Sequence, residues 1–377
     1  MLSLPQYPWD AMAPYRAQAA EHPGGVIDLS IGTPADPTPA AIREALASAA
    51  DAPGYPSTHG TPALRETVAA WFRRVRGVPD VDPDTVLPTV GSKEFVAWLP
   101  ALLGLGAGDI VLRPRIAYPT YEMGAQIVGA EPLAVDDPAE LDEQTLTRVK
   151  LIWLNSPANP TGRVDDVARL REWVRLARRI GAAVASDECY AMLPWEAEEV
   201  PSILDPRVAE GSHEGLLAVY SASKQSNLAG YRAAFVAGCP KLTTGLLNAR
   251  KHAGMIMPAP VQEALTAAMS DDEHVAAQRR IYAARRFRAK SALEAAGFTV
   301  EHSEAGLYLW CTDGSGDTWS QVARMAERGI VVGPGTFYGD AGQGRIRVAL
   351  TASDSEIADA AERLRSPLAR VAWNTVG

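Results

Sequence analysis

The sequence predicts an α/β protein with two parts: a large domain with a mainly parallel central sheet flanked by helices, and a smaller α+β domain. Three observations lead there. Through the middle of the chain, short apolar runs alternate with longer segments of helical spacing, which is how a parallel sheet covered on both faces reads. Beyond residue 269 the pattern changes to one long helix followed by short strands. A chain of 377 residues is also too long for one simple core.

Taken in order, the proline-rich opening from Pro5 to Pro62 reads as an extended arm, with little regular structure before a helical stretch over Ala40–Ala50. A first strong helix follows over Thr61–Arg74, and Gly91-Ser92-Lys93-Glu94 opens another after Thr85–Thr89. Gly104, Gly106 and Gly108 lack the spacing of a dinucleotide loop and are assigned to a turn. Strands are predicted at Ile110–Leu112, Lys150–Leu154, Ala182–Ser186, Leu216–Tyr220 and Ala233–Ala237, with a helix over Val164–Ile180. A long helix over Asp272–Ala296 leads into Phe298–Val300, Gly306–Trp310, Ile330–Val332 and Arg345–Leu350. The expected division is an arm over residues 1–40 that belongs with the small domain, a large domain over 41–268 and a small domain over 269–377.

Composition narrows the function. With 47% hydrophobic and 21% charged residues, the chain reads as an ordinary globular enzyme. A net charge of -9 and a pI near 5.3, with no dense basic stripe, argue against a nucleic-acid partner. The three cysteines form no CxxC pair and the six histidines no ligand spacing, so neither a disulfide framework nor a metal is expected. The first residues lack the pattern of a signal peptide, and no stretch approaches roughly 18 uninterrupted apolar residues. A cytoplasmic protein with no membrane partner is the expectation.

Chemistry concentrates just after the strands, where ligands of such sheets bind. The run Ala218–Ser223 ends in Lys224, and Arg232 follows eight residues later. A lysine amine taken out of water becomes a nucleophile able to form a Schiff base. Ser221, Ser223 and Arg232 are the hydroxyls and guanidinium that a phosphate requires. Together they point to pyridoxal 5'-phosphate, joined to Lys224 and held by its phosphate. Asn155–Gly162 follows one strand and contains Asn159; Asp187 and Tyr190 follow the next. Alone, Asn-Pro-Thr-Gly is common loop punctuation and a carboxylate at a strand end is more often a helix cap. In such a site, an aspartate at the pyridine nitrogen would keep it protonated, and Asn159 and Tyr190 would bond the ring's 3'-oxygen. Tyr118 offers a flat face for the ring, although by itself it would read as a core aromatic. Ser92 and Lys93, at a helix N-terminus, are further anion candidates. Cys189 reads as a packing residue.

Asn-Pro-Thr-Gly, then Asp-x-x-Tyr, then Ser-x-Ser-Lys with Arg eight residues on, resembles the class I/II aminotransferases, PLP-dependent transferases of fold type I, over nearly the whole chain. The resemblance runs from Ile31-Gly32-Thr33-Pro34 through Tyr55–Gly60 and Leu64-Arg65 to Arg347. It implies that Arg347 binds the substrate α-carboxylate, that Gly32 lies against the substrate, and that Tyr55 reaches the cofactor phosphate of a second subunit in a homodimer. It also implies that Lys224 both anchors the cofactor and moves the α-proton, in two half-reactions that exchange amino acids for keto acids such as glutamate and 2-oxoglutarate. The segments Ile27–Pro39, Gly91–Glu94 and Ser221–Asn227 are most similar to actinobacterial N-succinyldiaminopimelate aminotransferases. A broad glutamate-, alanine- or aspartate-type aminotransferase and a C–S β-lyase are the competing enzymes. A cofactor-sensing regulator would need an appended DNA-binding domain, which the chain lacks. Arg16, Lys93, Arg113, Arg115 and Arg345 are candidates for gripping a distal carboxylate.

Overall fold

The structure, a computed structural model, describes residues 8–366. The N-terminal segment is more regular than its prolines predict: a 3-10 turn over Pro8–Met12 runs into a helix, Ala13–Ala20. Pro14 sits in the first helical turn, where its missing N–H costs nothing. Met12 and Ala19 are buried, so tertiary packing stabilises this short helix. Pro5 lies outside the described residues. Strand β1 (Ile27–Asp28) follows, then helices Ala40–Ser48 and Pro62–Val75.

The large sheet contains β2 (Leu87–Val90), β3 (Ile110–Arg113), β4 (Glu131–Ala134), β5 (Val149–Asn155), β6 (Ala183–Asp187), β7 (Leu216–Ser221) and β8 (Ala233–Gly238). Their order is β2-β8-β7-β6-β5-β3-β4, with β8 antiparallel to both neighbours and the other pairs parallel. All five large-domain strands expected from the sequence are present. Edge strand β4, which contains Pro132, carries no clear apolar pattern and was not foreseen. Alternation along β5 shows why the sheet is covered twice. Leu151 and Trp153 pack into one core and Ile152 and Leu154 into another, so both faces are buried.

A second sheet joins β9 (Thr299–Glu301), β10 (Tyr308–Thr312), β12 (Gly333–Pro334) and β13 (Ile346–Ala349), while β11 (Ile330–Val331) pairs in parallel with β1. The core around these strands includes Met12, Ala19, Ile27 and Leu29 from one end of the chain and Leu309, Val348, Ile357 and Leu364 from the other. The long helix spans Glu273–Ala295 and contributes Ala292 and Leu293 to it. No helix among the described residues is long and apolar enough to cross a membrane.

Beside the site, Arg76 and Glu188 form a buried ion pair at 2.8 Å, their side chains 4% and 2% exposed. Glu188 also accepts hydrogen bonds from Ser202 Oγ and the Ile203 N–H, which ties the segment after β6 to the helix end at Arg76. Glu188→Ala would strand the Arg76 charge, and breaking such a pair costs about 3–5 kcal/mol. Urea unfolding should read that loss, and a change within error would remove the ion pair from the account of stability.

Candidate active site

The carboxyl ends of β5, β6 and β7 lie side by side, and Asn155 and Asp187 are direct partners in the parallel register. Side chains from the three strand ends therefore face one another. Asn155 Nδ2 donates to the Asp187 carbonyl at 2.9 Å, and its Oδ1 accepts from the Asn159 N–H at 2.8 Å. In this way Asn155 shapes the Asn-Pro-Thr-Gly turn against β6.

Asp187 is buried at the end of β6. Its Oδ2 accepts from the Tyr121 hydroxyl at 2.9 Å and its Oδ1 from the Cys189 N–H at 3.2 Å. Burial holds this carboxyl above its ordinary value, against the opposing hydrogen bonds from Cys189 and Tyr121. A site for a cationic nitrogen has this character, because a positive charge there would relieve the buried anion. Burial also pushes the Cys189 thiol well up, with Asp187 adding to it and Ser92 and Lys224 opposing. Cys189 packs as expected, buried with its N–H on Asp187.

Lys224 is not at the end of the strand. It sits in a one-turn helix, Ala222–Gln225, capped by Ser221. Ser221, with its preference for accepting from a backbone N–H, ends the strand there; its Oγ accepts from the Ser223 N–H at 3.2 Å and donates to Ser223 Oγ at 2.8 Å. The partly buried Lys224 Nζ donates to the Gly32 carbonyl. Gly32 must be glycine here, since a Cβ would collide with the Tyr308 hydroxyl.

The helix Ser92–Leu102 starts from Gly91, at φ 77° with no side-chain cap. Its first N–H groups are thus left for an anion. A Cβ at Gly91 would collide with the Arg232 guanidinium, so Arg232 lies directly against that helix start. Arg232 itself adopts a left-handed φ of 57°, and its Nη1 donates to the Ala229 carbonyl at 2.9 Å. Gly91, Ser92 and Arg232 make a cradle of backbone amides, a hydroxyl and a guanidinium at this helix start, and Ser221 and Ser223 add hydroxyls at the start of the lysine-bearing turn. Lys93 is exposed and makes no hydrogen bond or ion pair among the described residues.

Arg347 on β13 is 4% exposed. Nη1 donates to Asn159 Oδ1 at 2.9 Å and Nη2 to the Ser30 carbonyl at 2.6 Å, while Cζ stands 3.9 Å from the Tyr308 ring centroid and 4.8 Å from that of Tyr338. Its Nε is buried without a hydrogen-bond partner. Tyr190 is buried, with its hydroxyl 3.4 Å from that of Tyr308. Tyr118, half-buried ahead of the helix Thr120–Ile127, meets the Tyr121 ring edge-on at 5.9 Å.

Twelve of the expected residues can be placed in order. Gly32, Asn159, Asp187, Tyr190, Lys224 and Arg347 share contacts or neighbours directly; Ser92, Ser221, Ser223 and Arg232 form the anion side; Tyr118 joins through Tyr121; and Lys93 stays outside. Tyr55 is fully exposed, so on its own chain it touches none of them. Sequence reasoning missed Tyr121, Tyr308, Asn155 and Ser30. For Tyr121 the available signal was its position three residues after Tyr118, in the same aromatic segment Tyr118-Pro119-Thr120-Tyr121. Of the distal candidates, Arg16 pairs with Asp28, Arg113 with Glu122, Arg115 with Glu140 and Arg345 with Glu301.

A buried acid at the end of β6, a lysine in the turn after β7 and an anion cradle where β2 and β8 meet the helix start at Ser92 fit pyridoxal phosphate, and the fold is that of a PLP-dependent transferase of fold type I. Residues 24–364 match the family Aminotransferase class I and II, and the chain belongs to it. The chain is 54% identical over 364 residues to the 4-dedimethylamino-4-oxo-anhydrotetracycline transaminase OxyQ of Streptomyces rimosus, covering 97% of this chain and 100% of that protein. It is 33% identical to an LL-diaminopimelate aminotransferase of Dehalococcoides mccartyi, over 94% of each chain. A solved structure from Thermus thermophilus, a probable N-succinyldiaminopimelate aminotransferase, superposes with a TM-score of 0.85 at 30% identity, over 95% of this chain and 99% of that one. The protein is therefore a PLP-dependent transaminase.

Asp187→Asn separates stability from chemistry. An acid whose folded value lies above its unfolded one favours folding at low pH, and that contribution is lost as pH rises through the folded value. Between about pH 4, the ordinary carboxylate value, and about pH 8, the wild-type apoprotein should thus lose more stability than the Asp187→Asn apoprotein. Transamination by the loaded variant should fall on the order of 100-fold or more. Thermal melts at the two pH values and kcat measure both effects; a variant with near-normal kcat would refute the proposed duty of Asp187.

Proposed function

We propose that this aminotransferase moves the amino group between N-succinyl-LL-2,6-diaminopimelate and 2-oxoglutarate, in the biosynthesis of lysine and diaminopimelate. The observation that carries the amino-acid part of the reading is Arg347. This buried guanidinium keeps its Nε unpartnered between two aromatic rings, and an α-carboxylate would satisfy it. The acidic, succinylated part of the reading draws on the Dehalococcoides and Thermus proteins, which are named as aminotransferases of diaminopimelate and of its N-succinyl derivative.

In this reading Lys224 Nζ holds the cofactor, and once released from it carries the proton taken from the substrate α-carbon. Asp187 faces the pyridine nitrogen, and Tyr121 keeps its carboxylate in place. Asn159 gives its Oδ1 to Arg347 and so has its Nδ2 left to donate to the 3'-oxygen, with Tyr190 as the second donor. Tyr118 stacks on the ring. Ser92, Ser221, Ser223 and Arg232 take the phosphate, with Lys93 near the same helix start. Gly32 borders the substrate, and its carbonyl is the resting partner of Lys224. Bound there, the cofactor supplies an electron sink for the α-carbon.

A homodimer completes the site. Tyr55 stands fully exposed in a segment without regular structure, and a large aromatic so placed suits docking on a second copy, at the phosphate of that copy's cofactor.

A second reading is favoured by the 54% identity to a 4-dedimethylamino-4-oxo-anhydrotetracycline transaminase: the amino acceptor would be a ring ketone rather than a 2-oxo acid. A panel of amino donors and acceptors, read as kcat/KM, decides between the two. The first reading expects N-succinyl-LL-diaminopimelate with 2-oxoglutarate to lead the panel, and Arg347→Ala to raise KM for every α-carboxylate substrate. A polycyclic ketone that outperforms 2-oxoglutarate would establish the second instead.

The shared site has its own test. Co-expression of Tyr55→Phe with Lys224→Ala gives mixed dimers with one doubly damaged and one intact site, which should keep about half of wild-type activity by two-fold symmetry. Mixed dimers with no intact site would show that Tyr55 serves its own chain.

A further inference from the structure

One hydroxyl meets most of the proposed machinery and has no part in it so far. Tyr308 on β10 is 5% exposed, and its ring lies 3.9 Å from the Arg347 guanidinium carbon. Its hydroxyl touches the Gly32 backbone, whose carbonyl accepts from Lys224, and stands 3.4 Å from the Tyr190 hydroxyl. The two rings meet edge to face at 5.8 Å and 70°. The ionisable groups around Tyr308 come from every neighbouring element: Arg347 on β13, Lys224 in its one-turn helix, Cys189 and Tyr190 after β6, and Tyr282 in the long helix.

Two phenols in contact leave open which one donates, and the Arg347 guanidinium, 3.9 Å from the Tyr308 ring centroid, favours Tyr308 by drawing charge from its ring. Burial pushes Tyr308 up, but the charges of Arg347 and then Lys224 outweigh it and hold the hydroxyl below the usual phenol value. Burial pushes Tyr190 well above that value, and Tyr308 adds to the shift. Tyr308 is the better donor. A hydroxyl that accepts a hydrogen bond on its oxygen becomes a stronger donor through its own proton.

We infer that the Tyr308 hydroxyl is a positioning group for this transaminase: it donates to the Tyr190 oxygen, aims the Tyr190 hydroxyl at the cofactor 3'-oxygen and strengthens that bond. The inference rests on the role given to Tyr190 above. Its consequence is spectroscopic. A stronger donor to the 3'-oxygen favours the deprotonated Lys224–cofactor linkage, so the visible absorption band of the loaded enzyme titrates at lower pH.

Tyr308→Phe keeps the ring over Arg347 and removes only the hydroxyl. It should raise the midpoint of the band by about half to one pH unit, the typical net worth of one hydrogen bond. KM for the amino substrate should stay put, whereas Tyr308→Leu, which removes the ring, should raise it. Tyr190→Phe should raise the midpoint at least as much, and adding Tyr308→Phe to it should change nothing further, because the effect passes through Tyr190. An unmoved midpoint in Tyr190→Phe would remove the reading of Tyr190, and the inference with it. A moved midpoint in Tyr190→Phe with none in Tyr308→Phe overturns the inference alone, as does an additive shift in the double variant.

Discussion

A guanidinium inside a protein needs partners to replace water, and those that meet Arg347 come from separate parts of the chain. Ser30 gives its carbonyl from the N-terminal arm, Asn159 its amide oxygen from the loop after β5, and Tyr308 and Tyr338 their rings from the smaller sheet and the segment before β13. Satisfying one buried charge therefore fixes the arm, the loop after β5 of the large sheet and the second core relative to one another. Water cannot substitute at 4% exposure. A displacement of any of the three segments leaves the charge short of a partner, so the carboxylate pocket and the packing of the fold are held by the same contacts.

The arm is gripped a second time, a few residues further on. Asn227, in the left-handed region three residues after Lys224, donates from Nδ2 to Gln278 Oε1 at 2.9 Å, and Gln278 Nε2 donates to Asp36 Oδ2 at 2.7 Å. Arg285 pairs with both Asp36 oxygens and, through Nε, with Asp354. Gly32 thus lies between two anchors, Ser30 on Arg347 and Asp36 on the long helix. Its carbonyl stays within reach of Lys224 because the chain on either side is tied down. A single exposed ion pair would contribute little. Here Arg285 is 4% exposed and chelates Asp36, so removing Asp36 would leave a buried cation with two donors unmet and only Asp354 as its ion pair.

The strands were legible because both faces of the large sheet are buried, which writes near-continuous apolar runs into the sequence; Lys150–Leu154 and Leu216–Tyr220 carry that signature. The residues at their ends stood out because Asp187, Asn159 and Lys224 are polar groups directly after such runs. The N-terminal helix was hidden because its stability comes from Met12 and Ala19 packing against residues more than 250 positions away, a contact that leaves no local periodicity. The lysine's one-turn helix was hidden for a different reason, since Ser221 reads equally as strand or as cap until its hydroxyl is seen accepting from Ser223. Tyr308 follows the inward-facing rhythm of its strand with Trp310, so composition marks it as core. Only tertiary structure brings its hydroxyl against Gly32 and Tyr190.

Several groups of the site sit at a cost to the protein alone. Asp187 is an anion held in a buried position that favours its neutral form, Arg347 keeps one N–H without a partner, and the helix at Ser92 starts without a side-chain cap. In the function proposed above, each cost vanishes when a group of opposite character arrives: a pyridinium at Asp187, a carboxylate at Arg347, a phosphate at the helix start. By linkage, whatever the protein gives up in stability by keeping these groups unmatched reappears as affinity for the ligands that match them. Replacing the three with apolar, capped or neutral residues would therefore favour the apoprotein and weaken binding together. On that reading, the polar features that look like faults in the core are the ones a transaminase site would need.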